Sequence, residues 1–167
     1  MNYAKIKPVD VANGEGVRVS LFVSGCSHRC KGCFNAELWN YDAGEFFTSE
    51  TLADIIDLCA NSYITGLSLL GGEPLDPKNY EQVTIIAHVF KKFFPHKTIW
   101  CYTGYDWEQV NRMPIMKYID VLVDGRFVEE LKDPRLKFRG SSNQRIIDVK
   151  KSLESGKLFM MRDLMGD

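Results

Sequence analysis

Four short apolar runs, each closing on a glycine, constrain this chain more than any other feature. Val17 to Ser24 stops at Gly25, and Leu67 to Leu70 stops at Gly71-Gly72. Thr98 to Tyr102 closes on Thr103-Gly104, and Ile119 to Val123 ends at Asp124-Gly125. Each run is too short for a helix and rich in β-branched, aromatic or aliphatic residues, so each predicts a strand. Segments with helical spacing lie between them. Leu52, Ile55, Ile56 and Cys59 form one apolar face behind a cap at Thr48 or Ser49. Tyr80, Val83, Ile86, Ala87, Phe90 and Phe93 form another, with Asp76 as the expected N-cap, Pro77 in the first helical position and a stop before Pro95. Asp106 predicts the cap of a short helix over 107–112. A brief helical stretch at 127–132 and a loop through Gly140-Ser141-Ser142 lead to a fifth strand, Arg145 to Val149. From Lys150 the expectation is a short helix or turn with a loosely attached tail.

Alternation of this kind argues for a parallel sheet joined by right-handed crossovers. A closed eight-unit barrel takes about 250 residues, and this chain has 167. The expected fold is therefore α/β, an incomplete (βα) barrel of about five to six parallel strands, in a single domain over 1–167. Functional groups in such a fold gather where the strands end at their carboxyl side.

Composition removes several classes of function. With 21 basic and 22 acidic residues, and a formal net charge of −1, the chain lacks an electrostatic footprint for nucleic acid or an anionic membrane surface. Neither is expected as a partner. The opening residues contain no apolar h-region, and no apolar run approaches the roughly 20 residues of a membrane span. The cytoplasm is the expected compartment. Five cysteines make an odd count, which reads as metal binding or redox chemistry rather than a disulfide framework.

Three of those cysteines form Cys26-x3-Cys30-x2-Cys33. The same spacing would share one face of a helix. The segment, however, carries Gly25 and Gly32, is polar between the cysteines and follows a strand directly, so it reads as a loop wrapping three thiolates around one centre. Thiolates are soft ligands that select zinc, cuprous copper or iron–sulfur clusters. His28 could complete a Cys3His zinc site, although it is wedged between Cys26 and Cys30; a loop residue hydrogen-bonding its neighbours is the preferred reading. An ordinary four-iron cluster takes four cysteines. Three would leave one iron open to a chelating substrate. On these residues alone a structural zinc module and a simple electron carrier stay open. Cys59 and Cys101 sit at apolar positions and read as core.

The triplet after the first strand, together with Gly71-Gly72-Glu73-Pro74 after the second, resembles the radical S-adenosylmethionine superfamily. The blocks NGEGVR (13–18), VSGCSHRCKGCFN (23–35), GGEPL (71–75), VLVDGRF (121–127) and FRGSSNQRIIDV (138–149) resemble the activating proteins of the anaerobic ribonucleotide reductase. Two departures from the superfamily pattern stand out: Gly32 where an aromatic residue usually precedes the third cysteine, and Leu70 where Ser or Thr often precedes the double glycine. The first fits the reductase activases.

The resemblance implies a 4Fe–4S cluster on Cys26, Cys30 and Cys33 as the catalytic centre, with S-adenosylmethionine chelating the open iron. It implies reductive cleavage to a 5′-deoxyadenosyl radical that takes hydrogen from a C-terminal glycine of the large subunit of the reductase. It also implies a reductant protein such as flavodoxin. Gly71 and Gly72, lacking a Cβ, would let backbone approach the methionine amino group, with Glu73 as acceptor of that ammonium. Gly32, Cys33 and Phe34 would lie along the adenine. Phe34, Trp39 and Phe47 would shield the cluster. Thr103 and Asp124 would meet ribose, a cation or the glycine strand, although Thr-Gly and Asp-Gly are also ordinary turn pairs. Asn143 and Gln144 would contact nucleotide or partner.

Overall fold

The computed structural model describes residues 1–166. Seven strands form one sheet in the order β3-β1-β2-β4-β5-β6-β7. They are β1 (Asn2–Asp10), β2 (Arg18–Val23), β3 (Glu45–Phe46), β4 (Gly66–Gly71), β5 (Thr98–Tyr102), β6 (Val121–Asp124) and β7 (Arg145–Asp148). The helices are α1 (Ser49–Cys59), α2 (Tyr80–Phe93), α3 (Trp107–Val110), α4 (Val149–Ser155) and α5 (Arg162–Met165).

The four glycine-terminated runs are β2, β4, β5 and β6, and they pair in parallel as expected. The flanks differ. β1 pairs antiparallel with β2 and with β3, and β7 returns antiparallel to β6. The sheet is therefore open and mixed, which corrects the expectation of a barrel with five to six parallel strands. The cause at β7 is its connection. Between β6 and β7 the regular structure is one 3-10 turn, Glu129–Leu131, and without a crossover helix a strand returns antiparallel. β1 lacks a clear strand pattern in the sequence because only part of it pairs regularly. Its register with β2 shifts twice, and Pro8 lies beyond the two residues paired with β3.

Side chains alternate across the sheet. Val19, Leu21, Val23, Leu67, Leu69, Ile99, Cys101, Leu122 and Ile147 face the helices and merge with Ile55, Cys59, Val83, Ile86 and Phe90 in one core. The intervening residues line the opposite face. Phe22 and Leu70 meet Leu38 there, and Trp100, Val121, Val123 and Ile146 form a second cluster. Residues 159–161 run antiparallel along β7, with Asp148 N donating to Phe159 O and Met161 N to Ile146 O at 2.9 and 2.8 Å. Met161, Leu164 and Met165 then pack on the second cluster. The tail is attached, contrary to expectation.

α1 begins at its expected cap, Thr48, whose Oγ1 accepts from Thr51 N at 3.2 Å. α2 begins later than expected. Asp76 Oδ1 accepts from Lys78 N at 2.9 Å, an Asx turn that delays the helix to Tyr80. Arg18 locks the amino ends of three strands. Its guanidinium donates to Ser68 Oγ, Glu15 O, Thr98 Oγ1, Leu67 O and Thr98 O at 2.8–3.0 Å. Burial pushes its pKa down to about 10. No helix among the described residues is long and apolar enough to cross a membrane.

Candidate active site

Strands β2, β4, β5 and β6 all run to glycine turns at one end of the sheet, and a cleft of about 350 Å³ opens there. Cys26, Cys30, Cys33, Phe34, Gly71, Gly72, Glu73 and Thr103 all line it. Eight of the expected residues, spread over positions 26–103, thus meet in one place.

The cysteine loop leaves β2 at Gly25. Burial pushes the Cys26 thiol up to about 11, and backbone N–H groups of His28 and Arg29 directed at its sulfur partly offset that rise. Arg29 is left-handed, with φ 51, and successive N–H groups around such a residue make an anion-binding concavity. Burial likewise raises the Cys30 thiol, against an N–H from Phe127. Thiols with raised pKa values hold their protons near neutrality, so a metal centre loads here with proton release. No trio of His, Cys, Asp or Glu among the described residues is placed to hold a single metal ion. His28 Nε2 lies 2.7 Å from Glu73 Oε1, so that nitrogen is committed away from the cysteines and does not make a Cys3His set.

Glu73 is buried, 1% exposed. Its Oε1 accepts from His28 Nε2, Thr103 Oγ1 and Gly104 N at 2.7, 2.9 and 2.7 Å. Its Oε2 accepts from Leu75 N at 2.9 Å and shares the Thr103 hydroxyl. A carboxylate has about four acceptor positions, and the protein already supplies four donor groups. Glu73 is therefore the hub that joins the ends of β2, β4 and β5, and Thr103 is one of its struts.

The double glycine has an equally local cause. Gly71 is left-handed, and a Cβ there would lie 2.7 Å from both Val23 N and Val23 O. At Gly72 a Cβ would lie 2.5 Å from Gly25 O. The close approach these glycines permit is that of the β2 end onto the β4 end.

Three of the expected cofactor-binding residues do not line the cleft. Gly32 turns the cysteine loop against Glu129. Asp124 gives both oxygens to Arg145 and one of them also to Trp107 N. Asn143 donates to Arg126 O at 2.8 Å, and it is Gln144 beside it that faces the cleft. Of the aromatic shield, Phe34 and Trp39 line the cleft, whereas Phe47 is buried in the helix-side core.

No site role is expected from the sequence for Tyr102, and Arg139 enters only within the block at 138–149. Among the described residues, the buried side-chain polar atoms without a hydrogen-bond partner are Trp39 Nε1, Tyr102 OH and Arg139 Nε. All three residues line the cleft. Buried polar atoms left unpaired are unusual and call for a partner. Strand alternation carried the signal for Tyr102: as neighbour of the core residue Cys101, it faces the opposite side of β5.

A strand-end cleft with three cysteines on its first loop defines the class, and residues 12–147 match the family described as 4Fe-4S single cluster domain. Relatives narrow it. The chain is 44% identical over 146 residues to the anaerobic ribonucleoside-triphosphate reductase-activating protein of Enterobacteria phage T4, covering 87% of this chain and 93% of that one. It is 44% identical over 148 residues to the protein of the same name from Escherichia coli strain K12, covering 86% and 96%. The Haemophilus influenzae protein of that name gives the same identity and coverage. This chain belongs to the family of anaerobic ribonucleoside-triphosphate reductase-activating proteins.

Proposed function

We propose that this chain, acting as a single domain, is a radical S-adenosylmethionine activase of an anaerobic ribonucleotide reductase. Cys26, Cys30 and Cys33 would hold a 4Fe–4S cluster, and S-adenosylmethionine would occupy the rest of the cleft. The donor set fits: three thiols on one loop, with an open cleft where a fourth ligand would stand. Held by Cys26, Cys30 and Cys33, such a cluster would supply one-electron reduction, the chemistry by which S-adenosylmethionine would be split into methionine and a 5′-deoxyadenosyl radical able to take hydrogen from a glycine of the reductase. The electron would come from a one-electron carrier protein such as flavodoxin.

The chain's own part is to bind, orient and exclude water. N–H groups of His28 and Arg29 steady the Cys26 sulfur. Glu73, fixed by its four donors, holds the strand ends in register. Tyr102, Trp39 and Arg139 hold polar atoms that the protein leaves unpaired, and Phe34, on the cleft wall 5.1 Å from Phe127 between ring centroids, would help exclude water. The observation that carries the proposal is that Cys26, Cys30 and Cys33 line one cleft with three residues that each hold an unpaired buried polar atom.

The test is anaerobic reconstitution with iron and sulfide, reduction, and addition of S-adenosylmethionine with the large subunit of the reductase. The expected result is a changed cluster EPR spectrum on adding S-adenosylmethionine, followed by a glycyl-radical doublet on the reductase. Cleavage of S-adenosylmethionine without that doublet would remove the partner assignment.

A further inference from the structure

We infer that His28 is a positioning residue that couples the cysteine loop to the Glu73 hub, and through it to the ligand end of the cleft. The inference rests on the function proposed above. His28 sits on the loop between the first two cysteines, and its side-chain Nε2 lies 2.7 Å from Glu73 Oε1. An ionised carboxylate only accepts, so Nε2 carries the hydrogen and donates it.

The ring has little freedom to do anything else. Its side chain is 5% exposed. Its edge meets Tyr105 at 4.6 Å between centroids and 72° between planes. It also lies on the turn leaving β5: a Cβ at Gly104 would stand 2.5 Å from its Cδ2. Of the four donors on Glu73, Leu75 N belongs to the turn after β4, and Thr103 Oγ1 and Gly104 N to the turn after β5. His28 is the one that comes from the cysteine loop. Without it the hub keeps three donors and the sheet its register, while the loop between the cysteines loses its side-chain tie to Glu73 and keeps only the backbone one at its root, Glu73 N to Gly25 O at 2.8 Å. The loss should therefore fall on what the loop holds and orients. Partners that orient metal ligands from behind are worth roughly 10–100-fold in metal affinity or activity.

The experiment compares wild-type protein with His28→Leu and His28→Gln, each reconstituted anaerobically with iron and sulfide. Two quantities are read: the rate of iron loss to a chelator, and the S-adenosylmethionine concentration giving half of the EPR change at equal reduced-cluster content. His28→Leu should lose iron faster and need roughly 10–100-fold more S-adenosylmethionine. His28→Gln, with an amide N–H at similar reach, should recover most of both. Wild-type retention and midpoint in the leucine variant would overturn the inference, as would a glutamine variant as impaired as leucine. If the leucine variant does not fold, His28→Asn replaces it: its shorter amide should fail where glutamine succeeds, and equal behaviour of the two would overturn the coupling. Iron retention is read without S-adenosylmethionine. A wild-type spectrum indifferent to that molecule would thus sink the proposed function, and the retention ranking alone would still decide for or against His28.

Discussion

Arg145 and Asp124 are partners in the β6–β7 ladder, and the guanidinium grips the buried carboxylate with Nε 3.0 Å from Oδ1 and Nη2 2.5 Å from Oδ2. Asp124 is 1% exposed and also accepts from Trp107 N at 2.8 Å. This fork fixes the place where the chain turns back antiparallel after its parallel strands. Two-point geometry of this kind is specific to arginine.

Arg145→Met should therefore strand a buried carboxylate and destabilise the protein by about 3–5 kcal/mol, measured by denaturant unfolding. Glu108, the exposed third member 3.0 Å from Arg145 Nη2, provides the contrast. Glu108→Ala should cost about 0–1 kcal/mol, as exposed ion pairs do. Equal losses in the two variants would contradict this division of roles.

The legible parts of this protein were those with local causes. β2, β4, β5 and β6 show in the sequence because β-branched runs end on glycine, and the cysteine loop shows because its three ligands lie within eight positions. The antiparallel return of β7 does not, because it depends on a crossover helix being absent between Gly125 and Arg145. The hub at Glu73 was equally hidden. Its ties to His28 and Thr103 span 45 and 30 residues, and each donor alone reads as ordinary turn chemistry. Asp124 was noticed for its place at a strand end, but its partner, Arg145, is 21 residues away. Sequence position could place these groups at the right end of the sheet. It could not say whether they face a ligand or one another.

Thiol chemistry separates the cysteines by their surroundings. Cys59 and Cys101 are 0% exposed; burial pushes the Cys59 thiol up to about 12 and the Cys101 thiol well above its usual value. With no exposed surface, neither thiol can be reached by a reagent in the folded protein. Cys26, Cys30 and Cys33 are partly exposed, so alkylation of the metal-free native protein, followed by mass spectrometry, should label them, Cys26 slowed by its raised pKa, while denaturant should expose all five cysteines. Iron loading should protect the first three. Labelling of Cys59 in the native state would show that the helix-side core opens.

Gly71→Ala tests whether the double glycine serves the fold. A Cβ there meets the Val23 backbone at 2.7 Å with φ at +108°, so the variant should lose about 1–3 kcal/mol or more of stability before any ligand is added. An alanine variant as stable as wild type, impaired only in ligand binding, would return the glycine to the ligand.

Acid stability should depend on Asp10. This residue is 3% exposed. Burial alone would raise its pKa, but hydrogen bonds from Ser20 Oγ, Asn13 Nδ2 and Ala12 N at 2.6, 2.7 and 2.9 Å outweigh that and hold it below the usual 3.8. A carboxylate with a depressed folded pKa stabilises fully above its unfolded value and loses that contribution as pH falls through the folded one. The stability difference between wild type and Asp10→Asn should be constant above about pH 5 and shrink below about pH 4. A difference that grows on acidification would reverse the assignment.

Tyr102→Phe separates a ligand contact from a structural one by the sign of two effects. The Tyr102 hydroxyl is buried beside the cleft without a partner, and burial raises its pKa far above the ordinary tyrosine value. An unsatisfied buried hydroxyl costs a protein about 1–3 kcal/mol. Removing it should leave the ligand-free protein as stable as wild type or more stable, by up to about that amount. The same change removes a hydrogen bond from any polar ligand that uses the hydroxyl, so binding of S-adenosylmethionine to the loaded protein should weaken. For a neutral pair the loss is about 0.5–1.5 kcal/mol, which at 1.4 kcal/mol per decade is up to roughly tenfold in affinity. Thermal unfolding of the metal-free protein reads the first effect, and an EPR titration with S-adenosylmethionine reads the second. A destabilised variant would mean that the hydroxyl already has a partner within the fold. Unchanged binding would mean that the ligand lies out of its reach, and would shift the polar contacts of the cleft to Arg139 and Trp39.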